Sequence, residues 1–346
     1  MHLEDLGWNA ELEDAFRPHA DVGLIPARIA ARHHGPCELL TEHGRIGGIP
    51  SGKLERSALP VAGDWVAARR LEGERKAVIE AVLPRRTAFV RKEAWRRTVE
   101  QVVAANVDTF FLVAAFGQDI NARRIERYLT AAWDSGGTPV IVVNKLDLTD
   151  TADEELAELE AVAFGVPVLP VSAATGAGLE SLEPYLGRGQ TVALLGSSGV
   201  GKSTLINRLA GQELLPTAAT SAGGRGRHTT TNRELVPLPG GALLLDTPGM
   251  RELQLWADEA VLDASFADVT AHASECRFAD CSHLHEPGCA VREAIASGAL
   301  SEGRFENYLK LQRELRALEV RKDARLGAEA RKERRRQSRS MRNVKY

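Results

Sequence analysis

The sequence of 346 residues contains no run of about 18 apolar residues, the length that a membrane-spanning helix requires. Residues 1–5 include neither a basic nor an apolar segment, which argues against a secretory signal. Cysteine is scarce: of the four present, three lie between positions 276 and 289, close to histidines. That grouping favours a metal site in a reducing compartment over disulfides. We therefore expect a cytoplasmic protein without a membrane segment.

The net charge of −3 conceals an uneven distribution. From residue 321 to the end there are eleven Lys and Arg against three Asp and Glu, so the preceding residues sum to −11. A basic tail on an acidic chain is typical of an arm that binds a polyanion. The alternative interpretation is a solvated helix end.

The chain is long enough for two or three domains, and its 44% hydrophobic and 26% charged residues are typical of a globular protein. Residues 1–20 look loosely helical or frayed. Short β-prone runs follow, at 24–30, 36–40, 64–68 and 77–82. Gly/Pro-rich turns such as 47–52 separate them, and this spacing predicts a small OB-like β-barrel over 1–88 with Val66, Val78 and Ile79 in its core.

From residue 89 onward, apolar strands alternate with helical segments. The predicted strands are 109–115, 139–143, 168–171, 191–195 and 243–245, and the predicted helices are 122–135, 154–164 and 202–210. This alternation predicts an α/β domain over 89–257, with a mostly parallel sheet covered on both faces. A helical C-terminal domain is expected over 258–346, with a long charged helix from about Arg304.

A glycine-rich loop follows the strand 191–195 and precedes the helix 202–210, which is the context of a phosphate-binding loop. Its glycines let the backbone approach phosphate, and the helix N-terminus adds positive potential. Lys202 is expected to reach the β- and γ-phosphates and to assist catalysis, and Ser203 to bind Mg²⁺. The alternative is an ordinary strand-to-helix turn. The predicted contacts are Gly196, Ser197, Ser198, Gly199, Val200, Gly201, Lys202, Ser203 and Thr204.

Two further motifs point to guanine as the base. Asn144-Lys145-Leu146-Asp147 follows the strand 139–143, where the Asp147 carboxylate can accept both guanine N1–H and N2–H. Lys145 can cover the ring face, and Asn144 can tie this segment to the phosphate loop. Ser172 and Ala173 also follow a strand, and we expect the Ala173 N–H to donate to guanine O6.

The order of these motifs is unusual. In most GTPases the phosphate loop comes first, whereas here the guanine motif precedes it in the chain. The sequence therefore predicts a circularly permuted P-loop GTPase that hydrolyses GTP to GDP and phosphate.

The segments expected to sense the γ-phosphate follow the phosphate loop in the chain. Asp246 is predicted to hold Mg²⁺ in its second shell, and the Gly249 N–H to meet the γ-phosphate. Thr230, in the Gly/Arg/Thr segment 223–231, is predicted to close over Mg²⁺. Many GTPases have a glutamine where this chain has Met250, so we expect slow intrinsic hydrolysis and name His228 as the candidate catalytic residue. The alternative for His228 is a solvent-exposed loop histidine.

Three cysteines and a histidine form the last motif. Their spacing, Cys-x4-Cys-x-His-x5-Cys, fits one closed, tetrahedral, structural Zn²⁺ site. His285 could replace His283, and unligated buried cysteines are the alternative interpretation. The predicted ligands are Cys276, Cys281, His283 and Cys289.

Together these motifs resemble the RsgA (YjeQ) family of bacterial assembly GTPases that depend on the small ribosomal subunit. The resemblance covers nearly the whole chain and includes the barrel, the permuted order, 224–231, 246–249 and the Cys/His motif with 287–291 after it. It implies that the OB fold and the zinc domain bind 16S rRNA of the 30S subunit. It also implies that the subunit stimulates GTP hydrolysis during late maturation.

The resemblance supports His228 as the residue that promotes hydrolysis and His283 as the zinc ligand. The chain departs from the family at its acidic N-terminal arm, residues 1–16, because family members often carry a basic arm. We expect a monomer that binds GTP and GDP. Two other hypotheses are an ATP-dependent phosphoryl-transfer enzyme acting on a small metabolite and a metal-dependent RNA-binding module with vestigial GTPase activity.

Overall fold

The structure is a computed structural model that describes residues 2–32, 36–54, 59–92, 100–117, 120–163, 165–215, 234–246, 262–263, 265–278 and 281–322. The chain forms two compact units. The first consists of residues 1–90 and 102–253, and the second of residues 91–101 and 254–346. The barrel and the α/β sheet both lie in the first unit. The division at 88/89 and 257/258 stays a prediction.

The N-terminal part of the first unit is a closed barrel of five strands. Strand β1 pairs antiparallel with β2 and β4, β2 pairs with β3, β3 runs parallel to β5, and β5 pairs with β4. This ring has the five-stranded arrangement of an OB-like barrel, as predicted. The strands are β1 (Ile25–Arg32), β2 (Cys37–Thr41), β3 (Gly44–Pro50), β4 (Trp65–Arg70) and β5 (Lys76–Val82).

Two details of the predicted barrel are wrong. Residues 47–50 belong to β3 and not to a turn, because Gly48 makes room for the neighbouring strand. A Cβ on Gly48 would lie 2.8 Å from Leu39 Cγ. Val66 and Ile79 fill the barrel interior as expected, but Val78 does not join that cluster. Successive residues of a strand point to opposite faces, so Ala77 and Ile79 face inward and Val78 faces away.

The α/β part of the first unit is a mostly parallel sheet, as predicted. Its strand order is β10-β9-β8-β11-β13-β12, with β12 antiparallel at the end. Strand β12 also pairs with β1 through Glu234 and Ala31, so the sheet continues into the barrel. The strands are β8 (Thr109–Ala115), β9 (Thr138–Asn144), β10 (Val168–Pro170), β11 (Thr191–Gly196), β12 (Glu234–Pro237) and β13 (Leu243–Asp246). Strands β6 (Ala88–Lys92) and β7 (Glu100–Ala105) form a separate pair.

Both faces of the parallel sheet are buried. In β8, Phe110 and Leu112 pack in one cluster with apolar residues of α2 and α3. Phe111 and Val113 pack in a second cluster with residues of α4. This alternation confirms a sheet covered on both faces. The helices of this unit are α1 (Ala10–Ala20), α2 (Ala122–Asp134), α3 (Ala152–Ala163) and α4 (Lys202–Ala210).

The N-terminal arm contains helical segments, as predicted, and it is packed and not frayed. A 3-10 turn at Leu3–Leu6 precedes α1, and Leu6 is fully buried. The ring centroids of Trp8 and of Trp65 in the barrel are 4.7 Å apart, and the two rings meet edge to face. The backbones of Gly7 and Gly189 approach so closely that a Cβ on Gly7 would lie 2.7 Å from the Gly189 oxygen. The arm therefore packs on both the barrel and the loop before β11.

Arg28 connects these parts from the inside. Its guanidinium is 1% exposed and donates through Nη2 to the Asn106 carbonyl at 3.0 Å and to Thr191 Oγ1 at 2.8 Å. It also donates to the carbonyls of Gly63 and Leu6. Burial lowers the pKa of Arg28 to about 10, so the side chain remains charged at neutral pH. One buried cation therefore links the arm, the barrel and the parallel sheet.

Most described residues of the second unit are helical; the exceptions include the Cys/His loop and the ends of β6 and β7. Its helices are α5 (Ala267–Ser274), α6 (Ala290–Ser297) and α7 (Glu302–Lys322), and α7 corresponds to the predicted charged helix. Arg304 binds both Asp268 carboxylate oxygens, at 2.5 and 2.8 Å, and lies over the Phe266 ring. The basic tail lies outside the described residues from 323 onward. Among the described helices of both units, none is long and apolar enough to span a membrane.

We predict that Arg28→Met destabilises the first unit, because it leaves the acceptors of the guanidinium buried and unsatisfied. The expected loss in the free energy of unfolding is about 3–5 kcal/mol, measured by urea denaturation. Arg17→Met is the matched control. Arg17 pairs with Asp14, but both side chains are 72% exposed, and its loss should cost less than about 1 kcal/mol. Equal losses in the two variants would contradict the role of Arg28.

Candidate nucleotide site and metal centre

The predicted nucleotide motifs meet at one edge of the parallel sheet. Strands β9, β10, β11 and β13 run in the same direction, so their carboxyl ends lie on the same edge. The guanine motif follows β9, Ser172 and Ala173 follow β10, and the phosphate loop follows β11. Ligands of open α/β sheets bind at this edge. The fold therefore brings Asp147 and Lys202 to the same side of the molecule, although 55 positions separate them in the chain.

The Asn144 side chain joins three of these segments. Its Nδ2 donates to the Val200 carbonyl in the phosphate loop at 2.9 Å. Its Oδ1 accepts from the Ala173 backbone N–H, also at 2.9 Å. Asn144 is 2% exposed, so both bonds are shielded from water. The tie to the phosphate loop expected of Asn144 is thus present in the structure.

The contact of Ala173 differs from the one expected. Its N–H donates to Asn144 and not into open space, and the residue is 3% exposed. To donate to guanine O6, the Ala173 N–H would have to be shared between Asn144 Oδ1 and the base, or to leave Asn144. The donation of Ala173 to guanine stays a prediction.

Close packing explains two glycines of the phosphate loop. A Cβ on Gly196 would lie 2.4 Å from the Val113 carbonyl oxygen of the neighbouring strand. Gly201 has a φ of 93°, and its Cβ would lie 2.2 Å from Asn144 Nδ2. These positions therefore admit no side chain without moving β8 or the Asn144 bridge.

The ammonium group of Lys202 lies against the backbone of the phosphate loop. Lys202 Nζ donates to the carbonyl oxygens of Gly196 at 2.8 Å and Ser197 at 2.5 Å. Ser203 and Thr204 occupy the first turn of α4, directly after it. The ammonium and the helix N-terminus thus place positive potential at the same point, which suits a phosphate chain.

The Asp147 carboxylate is oriented before any base binds. Ser172 Oγ donates to Asp147 Oδ1 at 2.5 Å, and the Thr175 N–H donates to Ser172 Oγ at 3.1 Å. Asp147 is exposed, whereas Ser172 is fully buried. Lys145, beside it, adopts a left-handed conformation with a φ of 66°. A buried hydroxyl therefore fixes an exposed carboxylate at the edge where the base is expected.

The structure adds a side chain that the sequence motifs do not include. Arg208, in the last turn of α4, donates through Nη2 to the Ala174 carbonyl at 2.9 Å. It thereby links the helix of the phosphate loop to the loop that carries Ser172 and Ala173. Because arginine near a helix C-terminus is common, nothing in the sequence distinguishes it from a solvated surface residue.

Four of the predicted positions fall in undescribed parts of the chain. Thr230, His228, Gly249 and Met250 lie outside the described residues. Of Asp246, the backbone is described: it ends β13, where it pairs with Glu234. The roles given to Thr230, His228, Asp246 and Gly249 stay predictions.

The predicted metal ligands in the second unit form a compact cluster. The candidate ligand atoms of the four residues all lie within 4.8 Å of one another. His283 Nδ1 is 3.4 Å from Cys276 Sγ and 3.5 Å from Cys289 Sγ, and those two sulfurs are 3.9 Å apart. Tetrahedral zinc with ordinary bond lengths would place sulfur about 3.6 Å from nitrogen and about 3.8 Å from another sulfur. The donor set and its spacing fit Zn²⁺, and the histidine in the cluster is His283 and not His285.

The surroundings of the cluster shift the pKa values of two of its thiols in opposite directions: burial raises that of Cys281 to about 11, whereas that of Cys276 is lowered. Burial raises the pKa of the Cys276 thiol, but N–H groups of Val291 and Ala290 at the start of α6 outweigh this effect and lower it overall. Glu286 accepts from Ser282 Oγ at 2.5 Å and from the backbone N–H groups of Ser282, Leu284 and His285. These bonds, the one from the Ser282 hydroxyl first, lower the pKa of Glu286 to about 2. The carboxylate thus holds the loop between the second and third cysteines in shape.

Comparison with known proteins gives a consistent result. A protein-family model described as RsgA GTPase matches residues 82–256. The chain is 50% identical to the small ribosomal subunit biogenesis GTPase RsgA of Opitutus terrae, over 91% of this chain and 90% of that one. It is 45% identical to the protein of the same name from Syntrophotalea carbinolica, again over 91% and 90%. The crystal structure of YjeQ from Thermotoga maritima matches with a TM-score of 0.64 at 31% identity, over 84% of this chain and 98% of that one.

A second solved structure supports the fold alone. It is that of YloQ, titled a circularly permuted GTPase, which matches with a TM-score of 0.59 at 23% identity. The match covers 85% of this chain and 96% of that one. The permuted order predicted from the motifs is therefore confirmed at the level of fold.

We predict that Gly201→Ala abolishes nucleotide binding, because the new Cβ displaces the Asn144 amide. A fluorescent GDP analogue should bind at least about 100-fold more weakly, which corresponds to the loss of more than one buried hydrogen bond. Gly211→Ala is the control, since Gly211 also has a positive φ, 65°, but a Cβ there meets nothing within 4 Å. Comparable losses in both variants would show that backbone strain, and not the clash with Asn144, is responsible.

We predict one zinc ion per chain, measured by elemental analysis of the purified protein. Cys276→Ser and His283→Ala should each lower the zinc content to well below one, because each variant removes one of the four ligands of a closed site. His285→Ala should retain the full content, since His285 lies outside the cluster. Retention of zinc by His283→Ala would contradict the assignment.

Proposed function

Because the chain belongs to the RsgA GTPase family, we propose that it is a GTPase of small ribosomal subunit biogenesis that acts directly on the 30S particle. Its relatives from Opitutus terrae and Syntrophotalea carbinolica carry that name and match over nine-tenths of the chain. In this proposal the protein binds 16S rRNA during late maturation, the particle stimulates hydrolysis of GTP to GDP and phosphate, and hydrolysis weakens binding to the particle.

The Asn144 bridge is the observation that carries the proposal. It holds the phosphate loop, the guanine motif and the Ser172–Ala173 segment together at one edge of the sheet. Asp147, held by Ser172, then selects guanine, because adenine offers no matching pair of donors. The site is therefore assembled for a guanine nucleotide with its phosphates toward α4.

The chemistry assigned to the site follows from its charged groups. Lys202 would stabilise the β- and γ-phosphates, and Ser203, Thr230 and Asp246 would hold Mg²⁺ directly or through water. The ion supplies charge neutralisation on the phosphate oxygens. Gly249 would donate its N–H to the γ-phosphate. Because Met250 cannot orient water, His228 is the residue we propose to orient the attacking water when the particle is bound.

Nucleotide state would reach the second unit through the chain itself. The segment after β13 begins at residue 247, and the larger part of the second unit starts at residue 254, so the two are directly continuous in the chain. Zinc would keep the Cys/His segment folded for contact with rRNA, and the basic tail would add attraction to phosphate. In this proposal the acidic arm does not contact rRNA: Asp5 pairs with Arg188, and Leu3 and Leu6 are buried.

We propose that the protein works as a monomer in the cytoplasm. The nucleotide site is assembled from one chain in the described residues, so the proposed chemistry requires no second copy. The compartment follows from the proposed partner, because bacterial ribosomal subunits mature there.

We predict that purified 30S subunits accelerate GTP hydrolysis and that 50S subunits at the same concentration do not. Phosphate release should rise at least about 100-fold with 30S, the lower end of the gain expected when a general acid–base group is brought into position. His228→Ala should bind GTP with unchanged affinity and lose most of this acceleration. A rate that is the same with and without 30S subunits would refute the proposed partner, and full acceleration in His228→Ala would remove His228 from the role.

A further inference from the structure

The loop that carries Asp147 is short and exposed. It contains a 3-10 turn of three residues, Leu146–Leu148, and Leu148 is 70% exposed. Apolar packing therefore acts only on its first half, where Leu146 packs against the cluster that contains Phe110 and Leu112. Its first half is held by the Leu146 N–H, which donates to the Val171 carbonyl at 3.0 Å, and by the bond of Asp147 to Ser172. Its second half needs a different support.

That support comes from Glu155, in the first turn of α3. Its Oε1 accepts from Thr149 Oγ1 at 2.8 Å and from Thr151 Oγ1 at 3.3 Å. Its Oε2 accepts from the Gly117 backbone N–H at 2.8 Å, in the loop after β8. Both carboxylate oxygens are thus used, and they connect the loops that follow two neighbouring strands.

The network continues toward Asp147. Thr149, two residues after Asp147, also accepts from the Thr151 N–H at 3.1 Å, which makes a tight turn at the end of the loop. On the other side of the same loop, the Phe116 N–H donates to the Asn144 carbonyl at 3.0 Å. The loops after β8 and β9 are therefore joined both at Asn144 and at Glu155. Asp147 lies between these two points.

The bonds are strongest with a carboxylate. A glutamine could accept from the Gly117 N–H through its oxygen, but its amide would have to donate to the threonine hydroxyls, so the charge-assisted bonds from Thr149 and Thr151 would be lost. The direction of the pKa is consistent with this geometry, because the Gly117 N–H first and the Thr149 hydroxyl next lower the pKa of Glu155. The charged form that makes the bonds is thus the form present at neutral pH.

We infer that Glu155 is a positioning residue for guanine recognition, which fixes the second half of the loop that presents Asp147 to the base. This inference rests on the proposed role of Asp147 and adds a residue that touches neither the base nor the phosphates. Glu155 holds the loop in one conformation, so that less conformational entropy is lost when guanine binds.

The test separates the base from the phosphates by using two ligands. Mg²⁺-GTP uses both parts of the site, whereas Mg²⁺-tripolyphosphate uses the phosphate loop alone. Glu155→Ala should weaken GTP binding about tenfold, as expected for the loss of hydrogen bonds to a charged group, and change tripolyphosphate binding less than about twofold. Glu155→Gln should fall between the wild type and Glu155→Ala. The control Glu154→Ala removes an exposed carboxylate from the same helical turn and should match the wild type.

Thr149→Val provides a second, milder variant that leaves α3 intact. It removes one hydroxyl of the network and should weaken GTP binding in the same direction by a smaller factor. Equal losses of GTP and tripolyphosphate binding in Glu155→Ala would overturn the inference, because they would show a general effect on the domain. Unchanged GTP binding in both Glu155→Ala and Thr149→Val would also overturn it.

Asp147→Asn distinguishes a failure of this inference from a failure of the proposed guanine contact. An asparagine amide can donate to the carbonyl at C2 of xanthine, so this variant should prefer XTP to GTP if Asp147 contacts the base. If Asp147→Asn still prefers GTP to XTP, the proposed contact between Asp147 and guanine is wrong, independently of the results for Glu155. If the preference changes, Glu155→Ala in the Asp147→Asn background should lose its effect on GTP; a full tenfold effect there would show that Glu155 does not act through Asp147.

Discussion

The nucleotide edge of this protein depends on one buried amide. Asn144 donates to one backbone carbonyl and accepts from one backbone N–H, and no other type of small side chain offers both at the required spacing. Aspartate would place a second acceptor against the Val200 carbonyl, and leucine would leave both backbone groups buried without partners. A Cβ on Gly201 would lie 2.2 Å from the nitrogen of this amide, which is too close for both to be present. The asparagine and the glycine therefore constrain each other, and neither can change alone.

This constraint also explains how a permuted chain can keep the site. The amide connects points on three strand ends, so what matters is which strands are neighbours and not the order in which the chain visits them. Strand β11 lies between β8 and β13, and β9 lies on the other side of β8. The barrel meets the sheet away from this edge: β12 pairs with β1 through Glu234 and Ala31, and Arg28 binds the Asn106 carbonyl and Thr191 from inside the first unit. The permutation thus moves the covalent links while the hydrogen-bonded edge is preserved.

Local patterns predicted the elements that have strong periodicity or a defining motif. Strand β8 and helix α4 begin and end at the predicted residues, because an unbroken apolar run and a phosphate-loop context are unambiguous. Gly48 misled the turn prediction, since its reason lies in Leu39 on the neighbouring strand, which a Cβ at this position would approach to 2.8 Å. Likewise, the packed N-terminal arm depends on Trp65 and Gly189, which are far away in sequence. Glu155 and Arg208 carried no signal, because their partners are backbone groups, which every residue supplies, and threonine hydroxyls that form no recognisable motif.

The second unit illustrates a different balance of forces. Around the Cys/His cluster the chain exposes large apolar side chains, Phe278 at 41% and Leu284 at 53%, so hydrophobic burial contributes little there. The helices, in contrast, have their own core around Phe266 and Tyr308, reinforced by Arg304 with Asp268. A loop of this length without a core requires another source of stability, and metal ligation can supply it because bringing thiolates and an imidazole together is unfavourable until an ion binds. The helices would therefore fold through packing and the loop through metal, which makes the loop the part of the second unit whose shape depends on zinc.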